Sequence, residues 1–343
     1  DGDAYNIAIG YQAGFAMTSG ILNTLVGGSA GDALTTGNSN VAIGYLALSG
    51  EIQGDRNVAV GNNALESQAN SSDTDVYNTA VGYNAGQSVT TGVRNTIIGG
   101  LAGDALTTGN YNIAIGYTAL GAEDAHGRNV AIGYAALAAQ NAGADAYNVA
   151  IGFEAGNDIT TGLYNTVLGG EALLTNVDGD KNTAIGFRAL KSFEADTDGH
   201  GENTAVGSNA AENMSTGANN VAVGQSAIGS GVTTGDYNVA VGHSAGLALT
   251  SGAQNTLVGA LAGDALTTGT YNIAIGVNAL GAEDSGNGNV AIGRKALAVL
   301  NYDGYAYNIA IGYQAGFAMT TGTENTIMGG LAGDALTTGN RNV

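Results

Sequence analysis

The 343-residue sequence contains no cysteine, no proline and no tryptophan, and only 11% of its residues are charged. Without cysteine it can form neither a disulfide nor a thiolate metal or iron–sulfur site. Without proline, and without glycine at every third position, it cannot be a collagen. A disordered chain would carry more charge and fewer hydrophobic residues than the 44% found here. The composition therefore predicts a folded protein.

Basic residues are also scarce: 9 of them stand against 29 acidic residues, which gives a formal charge of −20. Such a chain repels nucleic acids and anionic membrane surfaces, and cations are its more natural partners. No apolar run approaches the roughly 20 residues that cross a bilayer, and the opening DGDAYN lacks the pattern of a signal peptide. We therefore expect no nucleic-acid partner and no membrane insertion of this segment.

One short motif dominates the sequence: asparagine, three mostly apolar residues and glycine, called positions one to five below. Fourteen of the nineteen intervals between successive motif asparagines are 17 residues long, and the others are 18, 19 or 21. The stretch YNIAIGYQAGFAMT at 5–18 returns unchanged at 307–320 as the same kind of unit. This regularity predicts one continuous repeat segment over 1–343. The incomplete motif at 342–343 leads us to expect a fragment of a longer fibre protein.

Each unit, called a coil below, is too short for a helix–turn–helix repeat and carries β-branched triplets rather than a 3.6-residue apolar period. We predict an all-β fold, a parallel β-solenoid (β-roll or β-helix) of stacked coils of about 17 residues. The fourth motif position is always large and apolar, so we expect Ile9, Val26, Ile43 and Val60 to line the core. The third position, usually alanine, then faces outwards onto a neighbouring copy of the chain.

Two positions do not vary among the nineteen complete coils, the motif glycine and an alanine three residues later. We expect the glycine to form a corner with positive φ or with no room for a Cβ atom. The alanine indicates a tight inward turn. In the first four coils these structural corners are Gly10, Gly27, Gly44, Gly61, Ala13, Ala30, Ala47 and Ala64. The residue after the alanine alternates between glycine and leucine in a four-coil cycle of about 70 residues.

The stretches NVAIGYLAL, NTAIGFRAL and NVAIGYAAL resemble the repeats of fibre proteins of marine phages and bacteria that end in an endosialidase-type chaperone domain. They are similar, more distantly, to head repeats of trimeric autotransporter adhesins. The resemblance covers the whole chain. It implies an elongated homotrimer of β coils that acts as the shaft of an extracellular fibre, on a cell surface or a virion, and presents a receptor-binding tip.

The three histidines, His126, His200 and His243, occupy unrelated phases of the repeat, so a common site would require three different faces to converge. We therefore expect no catalytic residues and no enzymatic activity in this segment. The motif asparagine is interpreted as structural, its amide bonding to the coils above and below.

Aspartates stand in alternate positions in several of the longer intervals. The pairs Asp178 and Asp180, and Asp196 and Asp198, lie among glycines in loops rich in oxygen ligands, which calcium accepts. The glycine-rich calcium-binding nonapeptide of β-rolls is missing. Two readings therefore stay open: a calcium site at these four residues, or solvated acids in turns with no cofactor.

Tyrosine recurs just before the motif asparagine and just after the motif glycine. Exposed aromatic rows can stack on sugars, so an adhesin that binds cell-surface glycans or other surfaces along its length, with or without calcium, is one alternative to a shaft. Stacking of the rings on one another is the structural reading. A subunit that assembles end to end into a filament is a further alternative.

Overall fold

The computed structural model describes residues 4–195 and 200–343. The chain divides into two compact units, Asp1–Asn165 and Thr166–Val343. Over the described residues both units consist of strands and turns without a helix, so no helix there could cross a membrane. Each unit is a parallel β-solenoid, which confirms the predicted fold class.

The first unit has eleven strands. They are β1 (Ile7–Ile9), β2 (Thr24–Val26), β3 (Val41–Ile43), β4 (Gly54–Asp55), β5 (Val58–Val60), β6 (Thr74–Asp75), β7 (Thr79–Val81), β8 (Thr96–Ile98), β9 (Ile113–Ile115), β10 (Val130–Ile132) and β11 (Val149–Ile151). The three-residue strands are the motif triplets. Within this unit, neighbouring triplets pair in parallel, position for position, as Ala114 does with Ala131. The two-residue strands β4 and β6 pair separately.

The second unit has ten strands, all of them motif triplets. They are β12 (Thr166–Leu168), β13 (Thr183–Ile185), β14 (Thr204–Val206), β15 (Val221–Val223), β16 (Val239–Val241), β17 (Thr256–Val258), β18 (Ile273–Ile275), β19 (Val290–Ile292), β20 (Ile309–Ile311) and β21 (Thr326–Met328). Their pairing is again parallel and in register, as between Ala274 and Ala291. In both units the turns that link successive triplets close the coil behind the sheet.

The expected assignment of the strand faces is wrong. Ile9 and Ile43 are 60% and 39% exposed, and Val26 and Val60 are half-buried, so the fourth position faces outwards. The third position points into the coil, where Ala42 is fully buried. The interior is narrow because it also holds the asparagine and alanine rows, so mostly alanine fits there. The larger β-branched side chains consequently take the outer side.

The motif asparagines form a buried ladder that ties each coil to its neighbours. The backbone N–H of Asn112 donates to Oδ1 of Asn95 at 2.9 Å, and that of Asn129 donates to Oδ1 of Asn112 at 3.0 Å. The Asn95 Nδ2 atom donates to the carbonyl of Gly109, in the turn that follows, at 2.9 Å. Burying an amide is favourable only when its donors and acceptors are paired, and the repeat provides these partners. The expectation of a structural asparagine ladder is confirmed.

The motif glycines turn the chain out of the sheet with backbone angles that other residues avoid. Gly10, Gly27, Gly44 and Gly61 have φ between +133° and +141°. A Cβ atom on each would lie 2.3 Å from the carbonyl oxygen of the motif glycine in the next coil. Both expected reasons for glycine, the positive φ and the lack of room for a Cβ atom, therefore apply. The alanines three residues later pack inside: Ala30, Ala47 and Ala64 are fully buried, and Ala13, in the first coil, is half-buried.

The alternation of glycine and leucine after the invariant alanine is explained by volume exchange inside the coil. Where the third motif position is large, as at Ile97, its side chain lies between two glycines, Gly86 of the preceding coil and Gly103 of its own coil. A Cβ on Gly86 would lie 2.8 Å from Ile97 Cδ1, and one on Gly103 would lie 3.6 Å away. Where the third position is alanine, as at Ala114, leucine such as Leu120 fills the same space and is fully buried. The interior thus keeps a constant volume.

Replacing a motif glycine should destabilise the first unit far more than replacing an unconstrained glycine. In Gly133→Ala, the residue would keep a φ of +141° and place its Cβ 2.1 Å from the Gly152 carbonyl oxygen. We expect a loss of about 3 kcal/mol in the free energy of unfolding, measured with urea. Gly143→Ala is the matched control because a Cβ there meets nothing within 4 Å. Equal effects of the two variants would contradict the corner assignment.

Volume exchange predicts that two substitutions compensate each other. Ile97→Ala should cost about 3 kcal/mol by leaving a cavity, and Gly103→Leu alone should overpack the coil. Together they recreate the alanine–leucine arrangement of the next coil, so the double variant should recover at least half of the Ile97→Ala loss. The measurement is urea unfolding of all four proteins. Strictly additive losses would show that the two positions do not share one space.

Candidate functional site

One surface of each sheet is apolar and uncharged. It is formed by the side chains of the second and fourth motif positions and is called the outer face below. The second position is always Ile, Val or Thr and the fourth always a large aliphatic residue. Ile98 in the first unit and Ile275 in the second are each 37% exposed, and Leu168 is 45% exposed. No charged residue stands at either position in the nineteen coils, and threonine hydroxyls are the only polar side-chain groups there, so each unit presents an uncharged, largely apolar strip.

Aromatic residues after the motif glycine run along one edge of the outer face. The Tyr117 and Tyr134 rings are stacked with centroids 5.8 Å apart, and the Tyr134 and Phe153 rings with centroids 5.2 Å apart. All three side chains remain about half exposed. Because the rings stack on one another, their faces are largely covered within the row, which agrees with the structural reading of these tyrosines.

A second aromatic row stands before the motif asparagine, and between Arg56 and Tyr147 it is a ladder in which tyrosine alternates with arginine. The Arg94 guanidinium lies 5.5 Å from the centre of the Tyr111 ring, and that of Arg128 lies 5.8 Å from Tyr111 and 5.4 Å from Tyr147. Arg128 also forms an ion pair with Asp145. The arginines of this ladder were not anticipated, although their position directly before the asparagine is visible in the sequence. Cation–π contacts here join successive coils.

Three glutamates lie fully buried inside the coils, all eleven residues after a motif asparagine: Glu51, Glu123 and Glu283. Other coils usually have an apolar residue there, such as Leu34, and this contrast is the sequence signal for them. They were not predicted as sites. A carboxylate in such a place is costly unless it is hydrogen-bonded or paired with a cation.

Glu51 is well provided with donors. Its Oε1 atom accepts the backbone N–H groups of Ile52 and Gly54 at 2.9 and 2.7 Å. Its Oε2 atom accepts from Gln68 Nε2 at 2.7 Å and from Asn70 Nδ2 at 2.9 Å. Because both carboxylate oxygens are paired with donors, Glu51 is a structural acceptor that organises its corner.

The other two buried glutamates have fewer donors. Glu283 accepts the N–H of Gly286 at 2.7 Å and that of Tyr302 at 3.3 Å, and burial raises its pKa to about 7. Glu123 accepts the N–H of His126 at 3.0 Å, while its Oε2 atom has no hydrogen-bond partner, and burial raises its pKa as well. The His126 Nδ1 atom lies 3.7 Å from Glu123 Oε1.

The predicted calcium residues are only partly described. Asp196 and Asp198 lie outside the described residues. Asp178 is half-buried with an Oδ1 atom that has no hydrogen-bond partner, and the Asp180 carbonyl accepts the N–H of Glu202 at 3.0 Å. Among the described residues, neither belongs to a group of three acidic or histidine side chains close enough to hold one ion. Within the described ranges, such a group occurs at 123–126. Calcium at the predicted aspartates stays a prediction.

The histidines are found in different surroundings. His126 lies beside Glu123 in the first unit, while His200 lines a polar surface cleft of about 350 Å³ in the second, together with Glu202, Asp236 and Tyr237. His243 is exposed directly after a motif glycine. The structure therefore does not group His200 or His243 with His126 in the first unit, and the expectation of no enzymatic activity stays a prediction.

No protein-family model matches the sequence, and no curated protein matches it. The candidate surfaces are accordingly defined by geometry: the outer face with its aromatic edges, and the buried carboxylates behind it. The outer face is the larger of the two and repeats in every coil. The carboxylates occur at single corners and differ in how well they are satisfied.

The raised pKa of Glu283 predicts a pH-dependent stability. Because the folded protein holds this proton more tightly than the unfolded chain, the stabilising contribution is complete below pH 4.5 and is lost as the pH rises through about 7. Glu283→Gln should therefore match the wild type at pH 4.5 and exceed it at pH 8 by up to roughly 3 kcal/mol. Urea unfolding of both proteins across this range measures the difference.

Glu51→Gln provides the contrasting variant. Its new amide group would face the Gln68 and Asn70 donors, so it should lower stability at pH 8. If the free energies of unfolding of the wild type and of Glu283→Gln changed in parallel with pH, this titration would not belong to Glu283.

Proposed function

We propose that the chain is part of the shaft of an extracellular fibre, a stiff homotrimeric spacer that holds a receptor-binding tip away from a cell surface or virion. The observation that supports this most is the uncharged outer face repeated in every coil. In this proposal the segment itself carries out no chemistry, and its function is mechanical.

The internal bonding supports a load-carrying role. Successive coils are joined by in-register parallel strands, by the asparagine ladder and by bonds between turns, such as the Thr90 N–H to the Thr107 carbonyl at 2.9 Å. Each coil contacts its neighbours, so stability is added coil by coil. Such a segment needs no disulfide, which agrees with the absence of cysteine.

The outer face is best covered by a second copy of the same chain. Copies that each carry a charge of −20 repel one another, so contact is favoured on the surface that has no charge. Nine coils at about 4.8 Å spacing and a strip about 16 Å wide give roughly 700 Å² for the first unit. A stable interface buries about 800 Å² per partner. Identical coil spacing also lets the ridges of two copies interlock throughout.

The trimeric state and the extracellular location follow from the resemblance to phage and bacterial fibre repeats and to trimeric adhesin heads. Glycan binding along the shaft is less well supported, since the faces of rings such as Tyr134 are occupied by their neighbours. Calcium-dependent adhesion and end-to-end filaments remain alternatives that mass measurements separate from a closed trimer.

A charge placed on the outer face should dissociate the assembly. We expect the wild type to sediment at about three times 33.8 kDa, and Ile98→Glu to sediment as a monomer with an unchanged circular dichroism spectrum. Thr91→Glu, in an exposed turn of the preceding coil, is the matched control, and this variant should remain trimeric.

Other masses distinguish the alternatives. A monomeric wild type would contradict self-association through the outer face. A dimeric wild type would contradict only the trimeric state. Mass that increases without limit with concentration would favour the filament. A mass that changes with calcium or a chelator would favour the calcium-dependent alternative.

A further inference from the structure

Two corners of the chain share their first four residues and their last one, and differ at the four positions between. The first reads GAEDAHGRN at 121–129 and the second GAEDSGNGN at 281–289. Both begin with the fully buried glutamate described above, Glu123 or Glu283, and continue with an aspartate. Where the second corner has Gly286, the first has His126. The second corner is therefore a natural reference for what the histidine adds.

Unpaired polar atoms concentrate at the first corner. In the described part of the chain, six buried side-chain polar atoms have no hydrogen-bond partner, and three of them belong to Glu123, His126 and Asn129. In the second corner both Glu283 oxygens accept N–H groups, from Gly286 and Tyr302. Glu123 Oε2 has no such donor even though its residue is fully buried. An unpaired carboxylate oxygen in this position calls for a partner of positive charge.

The neighbouring coil does not supply that partner. At the Glu51 corner, Gln68 of the next coil donates an Nε2 hydrogen to Glu51 Oε2 at 2.7 Å. The equivalent glutamine beside Glu123 is Gln140, and its Nε2 atom donates instead to the Thr160 carbonyl at 2.9 Å. Arg128 is paired with Asp145 and lies over tyrosine rings. The Gln140 amide and the Arg128 guanidinium are thus engaged elsewhere.

Hydrogen bonds hold the backbone carbonyls of two of the three candidate ligand residues in place. The Asp124 carbonyl accepts the N–H of Thr107 at 2.5 Å, and the His126 carbonyl accepts from Asn112 Nδ2 at 3.2 Å. One ligand atom from each of Glu123, Asp124 and His126 lies within 4.8 Å of the other two. Glu123 is buried, His126 half-buried and Asp124 exposed, so the group opens to solvent on one side and an ion can enter.

We propose that Glu123, Asp124 and His126 form a binding site for a divalent transition-metal cation, with Zn²⁺ as the preferred ion. Two carboxylates and one imidazole make three protein ligands, and solvent access leaves a fourth position for water. The imidazole nitrogen favours zinc over calcium, which takes oxygen ligands. Ligands at 2.0–2.2 Å from zinc are roughly 3.4 Å apart, so the 3.7 Å between His126 Nδ1 and Glu123 Oε1 requires little movement.

A simple ion pair between His126 and Glu123 accounts for less. At 3.7 Å the Nδ1 atom is beyond hydrogen-bond distance of Oε1, and Oε2 remains without a partner. A bound cation would satisfy Nδ1 and the Glu123 carboxylate together. The site lies on a turn of the first unit away from the outer-face positions, so it is independent of the proposed assembly.

The test is isothermal titration of the tag-free, full 343-residue chain with ZnCl₂, with Co²⁺ absorption as a spectroscopic readout of ligand geometry. We expect one saturable zinc per chain and a visible Co²⁺ band typical of four-coordinate nitrogen and oxygen ligation. His126→Gly, which copies the second corner, should weaken zinc at least tenfold and abolish the band. Glu123→Gln should weaken it similarly while keeping an acceptor for the His126 N–H group.

His243→Ala is the matched control, because it removes an exposed histidine of the second unit and should leave binding unchanged. Circular dichroism and urea unfolding test whether each variant is folded. We expect His126→Gly to fold, because the second corner has glycine, Gly286, at the equivalent position. Absence of saturable binding in the wild type would overturn the proposal. So would equal zinc affinity in the wild type and His126→Gly, or competition by equimolar CaCl₂.

Discussion

The structure depends on in-register stacking of each coil on the next. Parallel pairing puts every residue beside its counterpart one repeat away, as at Ile113 and Val130, so each position must be compatible with its own neighbour about 4.8 Å along the stack. Asparagine satisfies this requirement because one amide is both donor and acceptor, and the ladder repeats from coil to coil within each unit. The motif glycine satisfies it by having no side chain where two backbones meet.

The same constraint orders the charges. In a stack, like charges at equivalent positions would repel, and the chain instead alternates signs between coils. Arg188 bonds to Glu171 at 3.0 Å and Arg341 to Glu324 at 2.7 Å, both across 17 residues, while Lys181 bonds to Glu202 at 3.1 Å across 21. Tyrosine also separates arginines of the same row, as Tyr111 does between Arg94 and Arg128. A chain with few basic residues thereby places many of them where they join coils.

Much of the fold could be predicted from the sequence, because the period, the β-branched triplets and the invariant glycine are local signals of a parallel solenoid. The direction of the strand faces could not. Alternation shows that Ile7 and Ile9 share one face and Ala8 takes the other, but not which face is inside. Hydrophobicity favoured isoleucine, whereas interior space, set by distant asparagine and alanine rows, admits alanine. The carboxylates Glu123 and Glu283 were missed for a different reason: they stand at a repeat position that most coils fill with an apolar residue, but it lies in a turn, where no strand alternation marks it as buried.

The long coils show where this architecture accepts change. The coil that starts at Asn57 has 21 residues, yet Val58 still pairs with Thr79 in the same register, and its longer turn holds β6, which pairs with β4 of the preceding coil. The 19-residue coil from Asn129 likewise leaves Val130 opposite Val149. Insertions on the turn side thus leave the sheet undisturbed. Evolution, or a protein engineer, can graft new peptides at these turns on a regular lattice, and vary what the surface displays without redesigning the scaffold.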